Sequence, residues 1–416
     1  MSPRRPRVLF VSEAITLAQV VRLAALAARV DRQRYDVHFA CGPFDDVALL
    51  GSGLDPLPLF TIDRQRALAK IDRGERLYET AVLERYVAEE LELFDRVRPD
   101  LVIGDFRLSL AVSARLRRVP LATLINAYMS PFAERESFPV PDHPIVSLLG
   151  VQRAARYWPK ALPVAFAHFV APLDSVRKRH GLAPSGGLLE ALVDGDFTLY
   201  PDVPELCPTR ALPEKHRYLG PIPWSPQAAM LDLGPRFRAD RPLVYVTIGS
   251  SGRYAALSGV LQVIGELPVN AVLATAGRFE QLDTPANVHV VPFAPGSILA
   301  QKASFVVTNG GASTSYQALA EGKPVLGIPS NLDQYMAMTA IERACAGRLV
   351  RSGEATPSAL RSAFTELLES EALREGARNV ASAFARADCH ERFQAWLEEV
   401  LGTNERNARY ENASPN

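Results

Sequence analysis

A glycine pair followed by small hydroxyl residues occurs in the segment TNGGASTSYQALAEGKPVLGIPSNLDQYMAM, residues 308–338. The apolar run FVV before it predicts a buried strand and STSYQALAE predicts a helix, so Gly310 and Gly311 lie at a strand-to-helix turn. Glycines let the backbone approach a ligand closely, the first N–H groups of a helix point outward, and Ser313 and Thr314 add hydroxyl donors. The turn is suited to hold a phosphate group, although an ordinary strand–turn–helix corner has the same residues.

Carboxylate and amide side chains follow the next apolar run, PVLGIP. Asn331, Asp333 and Gln334 are suited to hydrogen-bond a polyhydroxylated group, and Ser250 marks the end of another apolar run, VYVTIGS. A phosphate site beside a polyol site predicts a nucleotide sugar as ligand. Asp333 has a second interpretation, since the residues after SNL predict a helix that this side chain would cap.

The elements that position these residues are short apolar runs alternating with helical patterns, which is typical of parallel sheets built from βαβ units. In the first half the predicted strands are RVLFVS, YDVHFA, LVIGD and LATLIN. In the second half they are LVYVTIGS, NAVLATA, VHVVPF, SFVVTN, PVLGIP and RLVR. Both halves therefore predict doubly wound domains, and the carboxyl ends of their strands would meet at one cleft.

Length and composition indicate two globular domains. The chain has 416 residues, more than a single core accommodates. We divide it into an acceptor-binding domain (1–200), a proline-rich linker (201–241), a donor-binding domain (242–385), a helix that packs back on the first domain (386–402) and a disordered tail (403–416). Within the first domain, the irregular stretch YMSPFAERESFPVPDHPIVSLLG is suited to wall an apolar ligand, or is a surface loop packed on its own prolines.

Charge and cysteine content exclude several classes of function. Lys plus Arg and Asp plus Glu number 46 each, so no general attraction to nucleic acid or to an anionic membrane is expected. No stretch reaches the roughly twenty apolar residues of a transmembrane helix, and the N-terminal apolar run is too short for a signal peptide. The cysteines have no metal-site spacing and predict free thiols in a cytoplasmic protein: Cys41, Cys207, Cys345 and Cys389.

Two other classes with repeated βαβ units fit less well. A Rossmann dehydrogenase carries a Gly-x-Gly-x-x-Gly loop after its first strand, whereas VSEAITLAQ contains no glycine. A two-lobed binding protein for small molecules usually carries a secretory signal peptide, which is not predicted here.

From Val288 to Arg351 the sequence resembles the donor-binding signature of the UDP-glycosyltransferase type of family 1 glycosyltransferases. The resemblance covers nearly the whole chain, including RYLGPIPW and VYVTIGSSG. It implies an α/β protein of the GT-B fold, in which two Rossmann-like doubly wound domains face a central cleft. The aromatic residue that stacks on the nucleobase in this family falls on Phe293, and the backbone of Ala294 would contact the base edge.

The resemblance also implies the remaining donor contacts. The Asp-Gln pair that holds the sugar falls on Asp333 and Gln334. The acidic residue that often holds the ribose hydroxyls falls on Gln317, which weakens the preference for a uridine donor over a thymidine donor. The small residues that bind the diphosphate fall on Gly311, Ser313 and Thr314, with Ser250 contributing from the first strand of the domain.

Two positions depart from the family pattern. Asn309 replaces the His that the family has at the start of the glycine pair, so an uncharged amide would face the diphosphate. Gln19 falls on the His that acts as general base in the family, and an amide cannot accept a proton near neutral pH. The carboxylate partner of that His falls on Asp105, which would then have nothing to orient.

Three interpretations of Gln19 remain open. The acceptor is already acidic and needs no base, or a carboxylate such as Asp105 or Glu13 replaces the base, or the chain is a catalytically inactive homologue that serves as a binding or partner protein. The resemblance implies transfer of a hexose from a UDP or dTDP sugar to a small apolar or acidic acceptor, with inversion. It implies no metal and no other cofactor, and leaves the oligomeric state open.

Overall fold

The computed structural model describes residues 4–44, 48–225, 237–247, 255–277 and 283–413. These residues form two parallel sheets with helices on both faces, which confirms the predicted GT-B class of α/β fold. All ten predicted strands are present. Strand residues are mostly buried because helices cover both faces of each sheet, as their continuous apolar runs predict.

The first sheet has seven strands in the order β3-β2-β1-β4-β5-β6-β7. Its strands are β1 (Arg7–Ser12), β2 (Asp36–Cys41), β3 (Leu57–Pro58), β4 (Leu101–Asp105), β5 (Leu121–Leu124), β6 (Phe197–Tyr200) and β7 (His216–Tyr218). Its helices are α1 (Leu17–Ala28), α2 (Arg64–Asp72), α3 (Thr80–Val97), α4 (Leu110–Arg117), α5 (Pro144–Leu149), α6 (Val151–Arg179) and α7 (Leu188–Leu192).

The second sheet has six strands in the order β10-β9-β8-β11-β12-β13. Its strands are β8 (Leu243–Thr247), β9 (Asn270–Ala274), β10 (Val288–Val291), β11 (Phe305–Thr308), β12 (Val325–Gly327) and β13 (Gly347–Leu349). The helices of this half are α8 (Ala255–Glu266), α9 (Gly296–Lys302), α10 (Ala312–Ala320), α11 (Leu332–Arg343), α12 (Pro357–Glu369), α13 (Glu371–Ala385) and α14 (Cys389–Ala413).

Two segments differ from the sequence-based division. The predicted linker 201–241 contributes strand β7, whose His216 pairs with Thr198 of β6; three residues are too short a run to show a period of two. Helix α14 continues to Ala413 through residues expected to be a disordered tail, because between Gly402 and Ala413 the chain contains neither Gly nor Pro to end a helix.

Helix α14 packs on the first sheet rather than on the second. The Phe393 ring lies 6.1 Å from that of Phe10 in β1, and the Trp396 ring lies 5.6 Å from that of Phe197 in β6. Leu397 is fully buried in the same apolar cluster. The last helix of the chain therefore completes the core of the first domain.

The carboxyl ends of the two sheets face each other. Tyr128, which follows β5, donates a hydrogen bond to Asp333, which follows β12. Nearby, the carboxylate of Asp142 accepts hydrogen bonds from Tyr335 and Arg351 of the second domain, at 2.9 and 2.7 Å. The loops that follow the strands thus border a cleft between the domains, the position at which doubly wound folds bind ligands.

Candidate active site

The glycine turn leads from β11 into the N-terminus of α10. Gly310 has a φ of +81°, and Gly311 is the N-cap with φ −68° and ψ 143°. Gly311 N–H donates to Asn309 Oδ1 at 3.2 Å, and no side chain caps the helix. The first N–H groups of an α-helix lack intrahelical partners, so those of α10 are suited to bind an anion. Ser313 is exposed and Thr314 is half-buried in this first turn.

The first turn of α11 lies against the glycine turn. A Cβ added to Gly310 would lie 3.4 Å from the backbone oxygen of Gln334. The N-cap of α11 is Asn331, whose Oδ1 accepts from Gln334 N–H at 3.1 Å. The alternative that Asp333 caps this helix is therefore wrong, because Asn331 already occupies that role. Gln334 is buried, and its Oε1 accepts from Ser330 N–H at 2.9 Å.

The Asp333 carboxylate reaches into the cleft. Its side chain is exposed to solvent, and its Oδ1 accepts a hydrogen bond from Tyr128 OH at 3.1 Å. Partial desolvation of the carboxylate raises the pKa of Asp333, while the Tyr128 hydrogen bond and the Arg22 charge oppose this shift. Asp333 is thus an accessible carboxylate beside the glycine turn.

The loop between β10 and α9 borders α10 on its other side. A Cβ added to Gly296 would lie 2.6 Å from Gln317 Oε1, and Gln317 Nε2 donates to the Trp224 carbonyl at 2.5 Å. On this loop Phe293 is half-buried and Ala294 is buried. The predicted nucleobase and ribose positions therefore lie close together, whereas Ser250 lies outside the described residues.

Gln19 has a local structural role. Its Oε1 accepts a hydrogen bond from Thr16 N–H at 3.0 Å, so it is the third helical residue of a capping box at the start of α1. The side chain is mostly buried, with the whole residue 8% exposed. Because the amide is turned back onto its own helix, Gln19 is poorly placed to act on a bound acceptor.

Asp105 has a strong partner that the sequence analysis missed. Its buried carboxylate accepts hydrogen bonds from both Nε and Nη2 of Arg22. The distance from Nη2 to Oδ1 is 2.7 Å. The expectation that Asp105 has nothing to orient is therefore wrong. Arg22 lies three residues after Gln19 on α1, so the two share a helix face. The three-residue separation of Gln19 and Arg22 was the sequence feature that could have predicted this partner, since it places a cation beside the position of the missing base.

A hydrogen-bond network continues from Arg22 to the second domain. Arg22 Nη1 donates to Asn126 Oδ1 at 2.7 Å, and Asn126 Nδ2 donates to Asp202 Oδ1 at 3.0 Å. Asp202 also accepts a hydrogen bond from Tyr316 of α10. Burial raises the pKa of Asp202, and these hydrogen bonds oppose the shift. The network joins the first domain to the helix that begins at the glycine turn.

Glu13, the other candidate base, lies directly after β1 and is fully buried. Its Oε1 accepts from Tyr86 OH at 2.9 Å, and Arg107 Nη1 lies 3.8 Å from its Oε2. Desolvation by burial raises the pKa of Glu13 to about 7, against the opposing charge of Arg107. The titration range suits a general base, but the carboxylate is closed off from the cleft.

The two glycines of the turn are expected to respond differently to substitution. Gly310→Ala should lower the unfolding free energy by at least about 1–2 kcal/mol, because the φ is positive and the new Cβ would lie 2.7 Å from Met338 Cγ. Gly311→Val has an allowed backbone, and among the described residues a Cβ at this position would approach Asn309 Oδ1 alone, at 3.3 Å. It should stay folded in urea titrations and lose affinity for dTDP or UDP by calorimetry. Unchanged affinity in folded Gly311→Val would remove the turn from the donor site.

Comparisons with known proteins show which family the chain is similar to. Residues 258–398 match the family described as Erythromycin biosynthesis protein CIII-like, C-terminal domain. The chain is 43% identical over 382 residues to the PGL/p-HBAD biosynthesis glycosyltransferase of Mycobacterium tuberculosis, covering 92% of this chain and 89% of that protein. It is also 43% identical over 392 residues to the PGL/p-HBAD biosynthesis rhamnosyltransferase of Mycobacterium bovis, covering 93% and 86%.

The chain is also similar to a relative described as inactive and to a solved structure of a rhamnosyltransferase. An inactive PGL/p-HBAD biosynthesis glycosyltransferase of Mycobacterium bovis is 43% identical over 263 residues, which cover 63% of this chain and 72% of that protein. The spinosyn rhamnosyltransferase SpnG, complexed with thymidine diphosphate, shares the fold with a TM-score of 0.66 at 18% identity, covering 91% of this chain and 96% of that one.

The chain therefore belongs to the family 1-type glycosyltransferases with the GT-B fold, and it is an enzyme that transfers a sugar. In the described part of the chain, no helix is long and apolar enough to cross a membrane.

Proposed function

We propose that this glycosyltransferase moves a hexose, with inversion, from a thymidine or uridine diphosphate sugar to an acceptor whose hydroxyl or carboxyl group is acidic. The observation that carries the proposal is the placement of the Asp333 carboxylate beside the glycine turn and the uncapped N-terminus of α10. One ligand with a diphosphate and a polyol group would satisfy both features.

The donor half of the proposal assigns the diphosphate to α10. The N–H groups of its first turn, with Ser313 and Thr314, would stabilise the charge that develops on the leaving diphosphate, so that the helix performs the task a metal performs in other transferases. The amide Gln317 at the ribose position, and the thymidine diphosphate bound by SpnG, favour a thymidine donor. The relative named a rhamnosyltransferase makes rhamnose the first sugar to test.

The acceptor half of the proposal rests on three side chains, none of which is available as a base. Gln19 caps its own helix, Asp105 is held by Arg22, and Glu13 is closed off from the cleft. An acceptor that is ionised near neutral pH attacks without a base. Its oxygen would form the bond to the anomeric carbon while the bond from that carbon to the diphosphate breaks, and the electron pair would leave with the nucleoside diphosphate.

The role of Asp333 is tested by comparing two ligands. Asp333→Ala is expected to weaken binding of the nucleotide sugar by about 1.5–3 kcal/mol and to change binding of the bare nucleoside diphosphate much less, because only the sugar presents hydroxyls to the carboxylate. Thr356→Ala is the matched control: it removes the cap of α12, a helix outside the proposed donor site, and should cost about 1 kcal/mol of stability without discriminating between the ligands. Equal losses for both ligands in Asp333→Ala would contradict the assignment.

The acidity of the acceptor is tested with a series of substituted phenols. At neutral pH, release of nucleoside diphosphate should become faster as the pKa of the phenol falls, because a larger fraction of the acceptor is ionised. The measurement is initial rate against phenol pKa at saturating dTDP or UDP sugar. Rates that are equal across the series, or fastest with neutral alcohols, would show that a base operates in the cleft.

A further inference from the structure

A mixed basic and apolar surface lies on the outside of the first domain, on α5 and α6. Four large apolar side chains are exposed there: Leu148 (84%), Leu149 (39%), Tyr157 (58%) and Val164 (72%). Monomeric soluble proteins commonly expose single apolar residues, but four large ones within 17 positions are a local concentration. We refer to these residues, with Arg153, Arg156 and Lys160, as the α5–α6 surface.

The helical spacing places the basic and apolar residues on one side of α6. Positions 153, 156, 157, 160, 161 and 164 follow the pattern i, i+3, i+4, i+7, i+8 and i+11, which is a single helix face. All six residues are exposed, whereas Ala154, Leu162 and Val170 on the other side are buried. These six positions of the 29-residue helix thus carry two arginines, a lysine, a tyrosine, an alanine and a valine, and Gln152, Pro159 and Pro163 beside them are also exposed.

The charge of this segment has one sign. Between Asp142 and Asp174 the sequence contains no Asp or Glu, although the whole chain has equal numbers of acidic and basic residues. A surface that combines cations, exposed leucines and an interfacial tyrosine is complementary to anionic headgroups above an acyl layer. A neutral or cationic partner would leave the three cations without counter-charges.

The α5–α6 surface begins at the mouth of the cleft. Asp142, two residues before α5, is held by Arg351 and Ser352 of the second domain, at 2.7 and 2.5 Å. The Phe138 ring of the same segment contacts Phe166 of α6, with centroids 5.6 Å apart. Any large body bound to this surface therefore lies next to the entrance of the cleft.

We propose that the α5–α6 surface binds the surface of an anionic lipid bilayer and brings the cleft to the membrane–water boundary. The leucines and Tyr157 insert among the headgroups, and the arginines and Lys160 contact the lipid phosphates. This surface is separate from the donor site, so the proposal stands whichever donor and acceptor the enzyme uses.

The test is sedimentation of the full chain with vesicles of phosphatidylcholine alone or of equal parts phosphatidylcholine and phosphatidylglycerol. Binding is expected on the anionic vesicles and should weaken as salt is added. Arg153→Glu/Arg156→Glu/Lys160→Glu should reduce partitioning roughly 100-fold, because each basic residue adds a similar increment of attraction. Leu148→Asp/Leu149→Asp should reduce it at least tenfold, through the lost burial of two leucines.

Leu212→Asp is the control, since Leu212 is also an exposed leucine (44%) but lies outside α5 and α6; it should bind vesicles like the wild type. Circular dichroism and dTDP or UDP binding should be unchanged in all variants, which separates failure of this proposal from failure of the proposed function. The proposal is overturned if the wild type does not sediment with anionic vesicles, if neutral vesicles bind equally well, or if the α5–α6 variants bind normally. It is also overturned if the wild type self-associates in solution through these residues instead.

Discussion

Arg22→Met is expected to lower the free energy of unfolding by about 3–5 kcal/mol, because it leaves the Asp105 carboxylate buried without its cation. Asp105 is fully buried, and the Arg22 side chain is 13% exposed. Arg117→Met is the matched control. Arg117 makes the same two-pronged contact with Asp95, at 2.7 Å for both bonds, but their side chains are 37% and 60% exposed. Its loss should cost less than about 1 kcal/mol.

A second substitution separates the charge from the packing. In the background Arg22→Met, Asp105→Asn should recover much of the lost stability, because a neutral amide can be buried at lower cost than an unpaired carboxylate. The measurement is a double-mutant cycle, in which urea denaturation gives the free energy of unfolding of the two single variants and the double variant. If the double variant is no more stable than Arg22→Met, the cost lies in lost packing of the arginine, and the ion pair is not the cause.

Glu13→Gln is expected to change how stability depends on pH. The pKa of Glu13 is raised in the folded protein from its usual 4.5 to about 7, so the folded state keeps a proton that the unfolded state releases between these values. The contribution of Glu13 to the free energy of unfolding therefore falls as pH rises from about 4.5 to 7, and it does not change further above pH 7. The difference of about 2.5 pKa units corresponds to roughly 3 kcal/mol.

The measurement is urea denaturation of the wild type and Glu13→Gln at pH 4.5 and at pH 8. Glutamine cannot ionise, so the variant should gain on the order of 3 kcal/mol relative to the wild type between these two pH values. The comparison at pH 4.5 reports any change in packing or hydrogen bonding, for example with Tyr86. A stability difference that is the same at both pH values would contradict a raised pKa.

The predictable parts of the fold were those with a strong local signal. Strands such as β1 and β11 are apolar runs that end in polar residues, and the glycine turn has the residue types that its backbone requires at Gly310. Strand β7 was missed because three residues such as His216–Tyr218 pair only when β6 is already in place beside them. Its stability comes from a tertiary contact that the local sequence does not show.

The candidate site likewise has a part that the local sequence predicts and a part that depends on tertiary contacts. Asp333 and the glycine turn belong to a contiguous segment, so their neighbourhood was visible in the sequence. The pairing of Arg22 with Asp105 joins residues 83 positions apart, and its extension through Asn126 to Asp202 spans a further 76. Hydrophobic periodicity indicates which side of a helix is buried, but it does not indicate which buried cation pairs with which carboxylate. The expectation that Asp105 has nothing to orient failed for this reason.

The path of the chain through the two domains has a consequence for how the protein is made. The core beneath Phe10 and Phe197 is closed by Phe393 and Trp396 of α14, so residues near both ends of the chain are needed to complete the first domain. During synthesis from the N-terminus, this domain would wait with an open apolar face until the whole second domain has emerged. The second domain, by contrast, has all of its strands in one continuous stretch and can fold first as a unit inserted within the other.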